Sequence, residues 1–394
     1  MLVTVKYAGE QVEFDLPDGQ VVGVWRGPEG LASIALEAAA RQALLEPEGY
    51  PAAGRLVVPG DRVTLAVDPA APGLETVLRA LTDVLFGAGV EAGDLTLVAP
   101  AGAYWRPEGS TAVVHDPCDA SQIAYLATTS AGRRVYLSRL ATDADVVIAI
   151  GGVRPTLTGD PRGPWRLIFP ELSNDATRRE PPRTARPAKP ARKGEGTIDE
   201  SVEASMLLGS RFHVAIVPAA SGALEVIAGR DDAVHARALE SLEASWRFET
   251  QGRAEVVVAG VGGPGSAATL DDLALALGTA AELVDRGGRI VVLSKAGGPI
   301  GPALGRLMRG DQPRGAPEIL RGLEHEADYP AADAIARAAA WADVFLASAL
   351  DPQTVEDLGM TPLERPDQAR RLVAQAYSCT FVDRAEIARA RAIA

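Results

Sequence analysis

Residues 63–85, VTLAVDPAAPGLETVLRALTDVL, contain the pattern from which the fold can be predicted. Val63 to Val67 is a continuous apolar run, which is typical of a strand buried on both faces. A tight loop follows from Asp68 to Gly73. Apolar residues then recur at helical spacing, at Leu74, Val77, Leu78, Leu81, Val84 and Leu85. This strand–loop–helix unit predicts a parallel sheet covered by helices, with ligands bound at the carboxyl ends of the strands.

The same alternation recurs along the chain and defines the predicted fold class, α/β. Further strands are predicted at residues 94–99, 145–151, 213–217, 224–228, 255–259, 289–293, 344–347 and 380–382, and further helices at 31–45, 231–248, 271–284 and 331–341. The first residues, LVTVKY and QVEFDL, predict an amino-terminal β-hairpin before a Pro17-Asp18-Gly19 turn. We therefore expect two α/β domains with largely parallel sheets.

The predicted domains span residues 1–250 and 251–382, and a terminal helix at 383–394 is expected to pack back on the first domain. Residues 178–193, RREPPRTARPAKPARK, interrupt the pattern. This composition cannot form a core, so an exposed or disordered loop is expected. The alternative is a basic flap over an anionic ligand, or a surface that captures a partner protein.

Composition excludes several classes of protein. The chain has 394 residues, 47% of them hydrophobic, and a formal net charge of −13, which argues against duplex nucleic acid as the main partner. Cys118 and Cys379 are too few for a disulfide framework or a cysteine zinc site. The four histidines, no two within one helical turn, are His115, His213, His235 and His325.

The sequence predicts a cytoplasmic protein. Its first residues lack the basic and apolar regions of a signal peptide. The longest buried-looking run, Val146 to Val153, is shorter than the roughly 20 residues of a membrane span.

Two candidate sites follow predicted strands in the second domain. Gly260-Val261-Gly262-Gly263-Pro264-Gly265 fits the spacing of a dinucleotide-binding loop, whose glycines let a pyrophosphate approach the backbone. Thr269, however, is the expected helix N-cap, and the next strand ends in Ser294-Lys295 rather than in an acid. These features favour a plain strand-to-helix ligand loop, with Ser294 and Lys295 able to hold a carboxylate.

The predicted first domain offers a histidine and a cluster of arginines. His115 ends a strand and could be a general base, although a structural hydrogen bond is the more common role, and Cys118 carries no sign of activation. Arg154, Arg162 and Arg166 follow the strand at 145–151, with Trp165 between them. Guanidinium groups bind carboxylates and phosphates, but these arginines could equally pair with the surplus carboxylates of the chain.

The order of segments resembles the nickel-pincer lactate racemase family. Beyond the amino-terminal hairpin and the loop at 68–72, the resemblance rests on LTLVAPAGAYWRPEGS (95–110), residues 113–155, RLIFPEL (166–172), DESVEASMLLGSRFHVAIV (199–217), AEVVVAGVGGPG (254–265), RIVVLSKAGGPIG (289–301) and AWADVFLASALDPQTVEDLGM (340–360). The resemblance implies a hydroxy-acid racemase in which a lysine carries the nickel-pincer mononucleotide. It also implies two catalytic histidines, a nickel-binding histidine, and basic residues that hold phosphate and carboxylate.

The residues at the family's functional positions differ from this pattern. Ala71 stands in place of an arginine, Trp105 and Thr156 in place of the two catalytic histidines, and Arg166 in place of the cofactor-bearing lysine. The nickel histidine should fall in the Pro/Arg-rich segment, which has none. Asp272 and Leu275 occupy the positions of a Gln and a Lys.

These differences predict a protein that keeps the fold and binds a small anion, such as a hydroxy acid, a sugar acid or a nucleotide, in the interdomain cleft that the resemblance implies. No nickel-pincer chemistry, cofactor or metal is expected. The alternatives are an active 2-hydroxy-acid racemase or epimerase with a rebuilt site, in which His115 is a weak catalytic candidate, and a non-catalytic partner-binding protein. The predicted ligand-binding residues are Asp68, Trp105, Arg106, Arg154, Thr156, Trp165, Arg166, Gly262, Gly263, Ser294 and Lys295.

Overall fold

A computed structural model describes residues 1–159, 161–179, 200–263, 268–309 and 316–393. The chain forms two compact units. The central unit comprises Gly30–Arg154 and Pro161–Leu242, and the terminal unit, which holds both ends of the chain, comprises Met1–Glu29, Pro155–Asp160 and Glu243–Ala394.

The strands in these described ranges are numbered in chain order. They are β1 (Leu2–Tyr7), β2 (Glu10–Asp15), β3 (Val21–Trp25), β4 (Val63–Val67), β5 (Leu95–Ala99), β6 (Thr111–Val114), β7 (Ile123–Thr128), β8 (Arg134–Ser138), β9 (Val146–Gly152), β10 (Phe212–Pro218), β11 (Ala223–Arg230), β12 (Arg247–Gln251), β13 (Ala254–Gly260), β14 (Val284–Leu293), β15 (Asp343–Ala347), β16 (Thr361–Pro362), β17 (Cys379–Val382) and β18 (Arg389–Ile393).

The helices of the same ranges are α1 (Ser33–Leu45), α2 (Leu74–Gly87), α3 (Arg139–Thr142), α4 (Pro164–Arg166), α5 (Asp175–Arg179), α6 (Glu200–Leu208), α7 (Asp231–Trp246), α8 (Leu270–Leu283), α9 (Pro302–Met308), α10 (Ala316–Ile319), α11 (Tyr329–Trp341), α12 (Pro352–Asp357) and α13 (Ala369–Ala374). None of the helices in the described ranges is both long enough and apolar enough to cross a membrane.

The central unit is built on a six-stranded sheet in the order β11-β10-β9-β4-β5-β6. All neighbours pair in parallel except β10 and β11. Every residue of β4 is buried, because α1 and α2 cover one face of the sheet while Leu167, Ile168 and Phe169 pack on the other. The α/β prediction from residues 63–85 is confirmed, including the helix that begins at Leu74.

The terminal unit contains a parallel sheet in the order β16-β15-β14-β13-β17-β3. The predicted hairpin is confirmed as β1 and β2, and its apolar face packs on this sheet. Phe14 of the hairpin meets Phe381 of β17 with ring centroids 5.3 Å apart. This contact explains why the first 29 residues group with the end of the chain, whereas the sequence placed residues 1–250 together.

The predicted terminal helix at 383–394 is wrong. Residues Arg389–Ile393 form β18, which pairs in parallel with β12, from Arg247↔Arg389 to Gln251↔Ile393. Ala and Arg favour helices, but pairing with a neighbouring strand overrides this local preference. Both strands belong to the terminal unit.

The predicted basic loop is described only at its start. Arg178 and Arg179 end α5, and residues 180–193 lie outside the described ranges.

A buried ion pair joins two segments of the central unit that are distant in sequence. Arg133 and Glu200 are only 5% and 1% exposed, and Arg133 Nη1 donates to Glu200 Oε2 at 2.9 Å. Arg133 Nη2 also donates to the Thr177 carbonyl at 2.8 Å. One guanidinium therefore fixes α6 and the end of α5 against the turn between β7 and β8.

We expect Arg133→Met to lower the free energy of unfolding by about 3–5 kcal/mol, because it removes the guanidinium from a buried carboxylate. Urea denaturation measures the change. The matched control is Arg62→Met, which breaks the exposed ion pair with Asp145 and should cost less than about 1 kcal/mol. Equal effects of the two substitutions would contradict the assignment.

Candidate anion-binding site

A small cavity at the carboxyl ends of β4 and β9 collects several of the predicted residues. Its volume is about 100 Å³, and its lining belongs entirely to the central unit. The lining residues are Asp68, Pro100, Arg154, Arg162, Gly163, Arg166, Leu167 and Glu171. We call this cavity the arginine pocket.

Parallel pairing of β4 with β9 brings Asp68 and Arg154 together, since both follow the carboxyl ends of neighbouring strands. The Asp68 backbone N–H donates to the Ile150 carbonyl at 3.0 Å, which continues the ladder by one residue. Arg154 Nη2 then donates to Asp68 Oδ2 at 3.2 Å. The Asp68 side chain is 15% exposed and that of Arg154 36%, so the pair is partly open to solvent.

The segment after Arg154 supplies the other arginines. Arg154 and Arg162 exchange two backbone hydrogen bonds of 2.9 and 2.8 Å, which hold their side chains at one end of the sheet. Arg166 lies in the next turn, where its N–H donates to the Gly163 carbonyl at 3.0 Å. Gly163 permits this turn, because a Cβ there would lie 2.4 Å from the Trp165 ring.

Carboxylates of the protein partly neutralise the pocket. Glu171 accepts from Arg162 at 2.8 Å and from Arg178 at 3.1 Å, and Asp68 accepts from Arg154. The described lining therefore carries three arginines and two acids. The sequence left open whether the arginines bind an anion or pair with carboxylates of the protein. In the structure, Arg154 and Arg162 pair with carboxylates, and all three arginines also converge on one cavity.

Neither of the two tryptophans predicted to bind the ligand lines the arginine pocket. Trp165 is 1% exposed, its indole N–H donates to the Pro161 carbonyl at 3.2 Å, and its ring meets that of His235 at 4.4 Å. The prediction that Trp165 binds the ligand is wrong, because its side chain belongs to the core. Trp105 is half-buried in a separate groove, and the Arg79 guanidinium lies 4.2 Å above its ring.

Four other predicted residues are not among those that line the arginine pocket. Arg106 is exposed and bonds the Ser110 carbonyl. Thr156 Oγ1 lies 3.1 Å from Thr158 Oγ1 in a short segment of the terminal unit. Ser294 is 3% exposed and accepts from the Ala296 N–H, while Lys295 pairs with Glu10 at 2.5 Å; both belong to the terminal unit.

The described residues of the glycine loop, Gly260 to Gly263, belong to the terminal unit, and Gly262 binds a side chain of the protein. Gly262 has a φ of 84°, and its N–H donates to Glu386 Oε1 at 3.2 Å. A Cβ on Gly263 would lie 2.6 Å from Arg384 Nη1. Thr269 is confirmed as the N-cap of α8, in a capping box with Asp272.

His115 and Cys118 lie outside the arginine pocket. His115 is 4% exposed, its Nε2 lies 2.8 Å from the Ser173 carbonyl oxygen, and burial lowers its pKa. This is the structural hydrogen bond that the sequence left open. Cys118 is exposed in a different cavity, beside Tyr125 and Tyr136.

Sequence reasoning missed Glu171 and Arg178. Glu171 follows Pro170 in an irregular turn with no motif around it, and Arg178 was assigned to the basic loop. Only the folded turn brings these side chains together, so no spacing rule could identify them.

The fold and the pocket define the class of protein: a two-unit α/β protein with an arginine-rich cavity at the carboxyl ends of parallel strands. Residues 7–159 match the family model of the lactate racemase N-terminal domain. No curated protein matches the chain.

Two solved structures share the fold. The lactate racemase apoprotein from Thermoanaerobacterium thermosaccharolyticum has a TM-score of 0.72 at 16% identity, over 99% of this chain and 100% of that one. A structural-genomics protein from Thermotoga maritima has a TM-score of 0.61 at 11% identity, over 93% and 100% of the two chains. The predicted resemblance to the lactate racemase family is confirmed.

A buried histidine of the central unit should make the stability of the protein depend on pH. His213 of β10 is fully buried, and neither ring nitrogen has a hydrogen-bond partner among the described residues. Burial lowers its pKa from 6.5 to about 4, with a smaller contribution from His235. Because the charged ring is disfavoured only in the folded state, the unfolded chain binds more protons between these two values, and stability falls as pH falls through that window.

Between about pH 7.5 and about pH 5, the free energy of unfolding should fall by about 2 kcal/mol less in His213→Leu than in the unmodified protein. Urea denaturation at a series of pH values measures this difference. His325→Gln is the control, because the His325 side chain is 71% exposed. An unchanged pH dependence in His213→Leu would show that the buried ring is not responsible.

Proposed function

We propose that this lactate-racemase-like protein binds a small anionic ligand in the arginine pocket and does not act as a nickel-pincer racemase. The observation that carries the proposal is the convergence of Arg154, Arg162 and Arg166 on one cavity at the carboxyl ends of β4 and β9. Guanidinium groups bind carboxylates and phosphates through two parallel hydrogen bonds. Three arginines at one cavity, in a chain of net charge −13, support an anion as the ligand.

The size of the cavity narrows the ligand class. A volume of about 100 Å³ is smaller than the roughly 300–1,000 Å³ that is usual for drug-sized ligands. This favours a hydroxy acid or a small sugar acid over a nucleotide. Asp68 and Glu171 already hold two of the guanidinium groups, so the ligand would share donors with these carboxylates.

The residues present do not fit the family's nickel-pincer cofactor. The chain's lysines are Lys6, Lys189, Lys193 and Lys295, and the position that the resemblance gives to the tether holds Arg166, whose guanidinium stays protonated and is a poor nucleophile. No histidine in the described ranges lines the arginine pocket. Among the same residues, no group of three or more His, Cys, Asp or Glu side chains could hold a metal ion.

The described lining also favours binding over acid–base catalysis. It contains arginines and carboxylates but no histidine, lysine or cysteine in the part of the chain that the structure covers. Proton transfer near neutral pH works best with a group whose pKa lies near the operating pH. The pocket therefore supports electrostatic recognition of an anion more directly than racemisation.

We expect Arg154→Gln and Arg166→Gln each to weaken binding of the preferred small acid by roughly tenfold or more, since a hydrogen bond to a charged group is worth about 1.5–3 kcal/mol. A thermal-shift screen with hydroxy acids and sugar acids finds the acid, and calorimetric titration measures its affinity. Arg321→Gln, an exposed arginine of the terminal unit, is the matched control. Flat melting curves for all the acids would contradict the proposal.

Co-expression with the enzymes that synthesise the pincer cofactor tests the loss of nickel chemistry. We expect the unmodified intact mass and far less than one nickel per chain, because the tether and the imidazole donor are missing from their positions. Intact-mass spectrometry and elemental analysis measure both. A lactate racemase prepared in the same way is the positive control, and a covalent adduct on this chain would contradict the expectation.

A further inference from the structure

In the terminal unit, both ends of the chain cover the carboxyl edge of β13 and β17. The Ala385 N–H donates to the Gly260 carbonyl at 3.0 Å, and the Ala8 N–H donates to the Gly262 carbonyl at 2.9 Å. A Cβ on Gly260 would lie only 2.1 Å from the Lys6 carbonyl oxygen. The edge at which parallel sheets bind ligands is therefore lined here by the protein's own backbone.

Glu386 lies beneath the glycine loop at this edge. Its side chain is 6% exposed, and its Oε1 accepts from the Gly262 N–H at 3.2 Å and from Arg384 Nε at 2.7 Å. Its Oε2 is buried with no hydrogen-bond partner among the described residues. A loop N–H and a guanidinium are the donors that bound anions use in proteins.

The turn that carries Glu386 is held in an uncommon conformation. Arg384 has a φ of 54°, in the left-handed region that non-glycine residues rarely adopt. Asp383, on the other side of Arg384, accepts from the Lys6 N–H at 2.8 Å. Two carboxylates of one short turn therefore bind backbone N–H groups of other segments.

We propose that Glu386 is a built-in carboxylate ligand of the Gly262 N–H and of Arg384, and that it occupies the position in which these two donors would otherwise bind an external anion. The predicted ligand role of Gly262 and Gly263 is thereby replaced by an internal one. This inference concerns the terminal unit and stands independently of ligand binding in the arginine pocket.

Removal of the Glu386 carboxylate should leave a position beside Gly262 and Arg384 in which a small carboxylate can bind. We expect Glu386→Ala to lower the melting temperature, and sodium formate to raise it again by several degrees more than it raises that of the unmodified protein. Sodium chloride at the same ionic strength controls for screening. Glu364→Ala, which removes an exposed glutamate of the same unit, is the matched variant and should respond to formate as the unmodified protein does.

The near-isosteric Glu386→Gln provides a second readout if the alanine variant does not fold. It keeps an oxygen acceptor for Gly262 but loses the charge, so we expect about fivefold faster deuterium exchange in the peptide that contains Gly262. Glu364→Gln should leave that exchange unchanged. Formate that stabilises Glu386→Ala no more than the unmodified protein, or unchanged exchange in Glu386→Gln, would overturn the proposal.

Discussion

The parallel pairing of β4 with β9 is the contact on which the central unit depends. Both strands are apolar over almost their whole length, and the sheet is stable only because side chains cover both of its faces. The register that aligns Val67 with Ile150 also fixes the positions of the residues just beyond each strand. Asp68 and Arg154 meet because the two strands end at the same edge, so the hydrophobic pairing determines the electrostatics of the pocket.

The arginines of the pocket illustrate how a positive site can exist in an acidic protein. Each ion pair there is partly solvent-exposed, and such pairs contribute little to stability because water competes for both partners. Because these ion pairs contribute little, an incoming anion can share the guanidinium groups with only a small loss of stability. Arg133, by contrast, is buried with Glu200, and its role is structural.

Strands and helices that have a clear hydrophobic pattern could be predicted from the sequence. Burial on one or both faces of such an element produces a pattern that is visible within a few neighbouring residues. Val63–Val67 and Leu74 were placed to the residue. The errors arose where a distant partner decides the structure. Residues 389–393 become a strand only beside Arg247–Gln251, and β3 forms only beside β17. Within the site, Asp68, Arg154 and Arg166 follow predicted elements and could be found, whereas Glu171 depends on an irregular turn and could not.

The discontinuity of the terminal unit has a consequence for biosynthesis. Its strand β3 precedes the central unit in the chain and pairs with β17, which follows that unit. At roughly 5–20 residues per second, the ribosome needs about 20–70 s to synthesise the stretch between Trp25 and Cys379. During that interval the hairpin and β3 lack their permanent neighbours, while the central unit has everything it needs to fold. The terminal unit can therefore complete its six-stranded sheet only after the whole central unit has been synthesised.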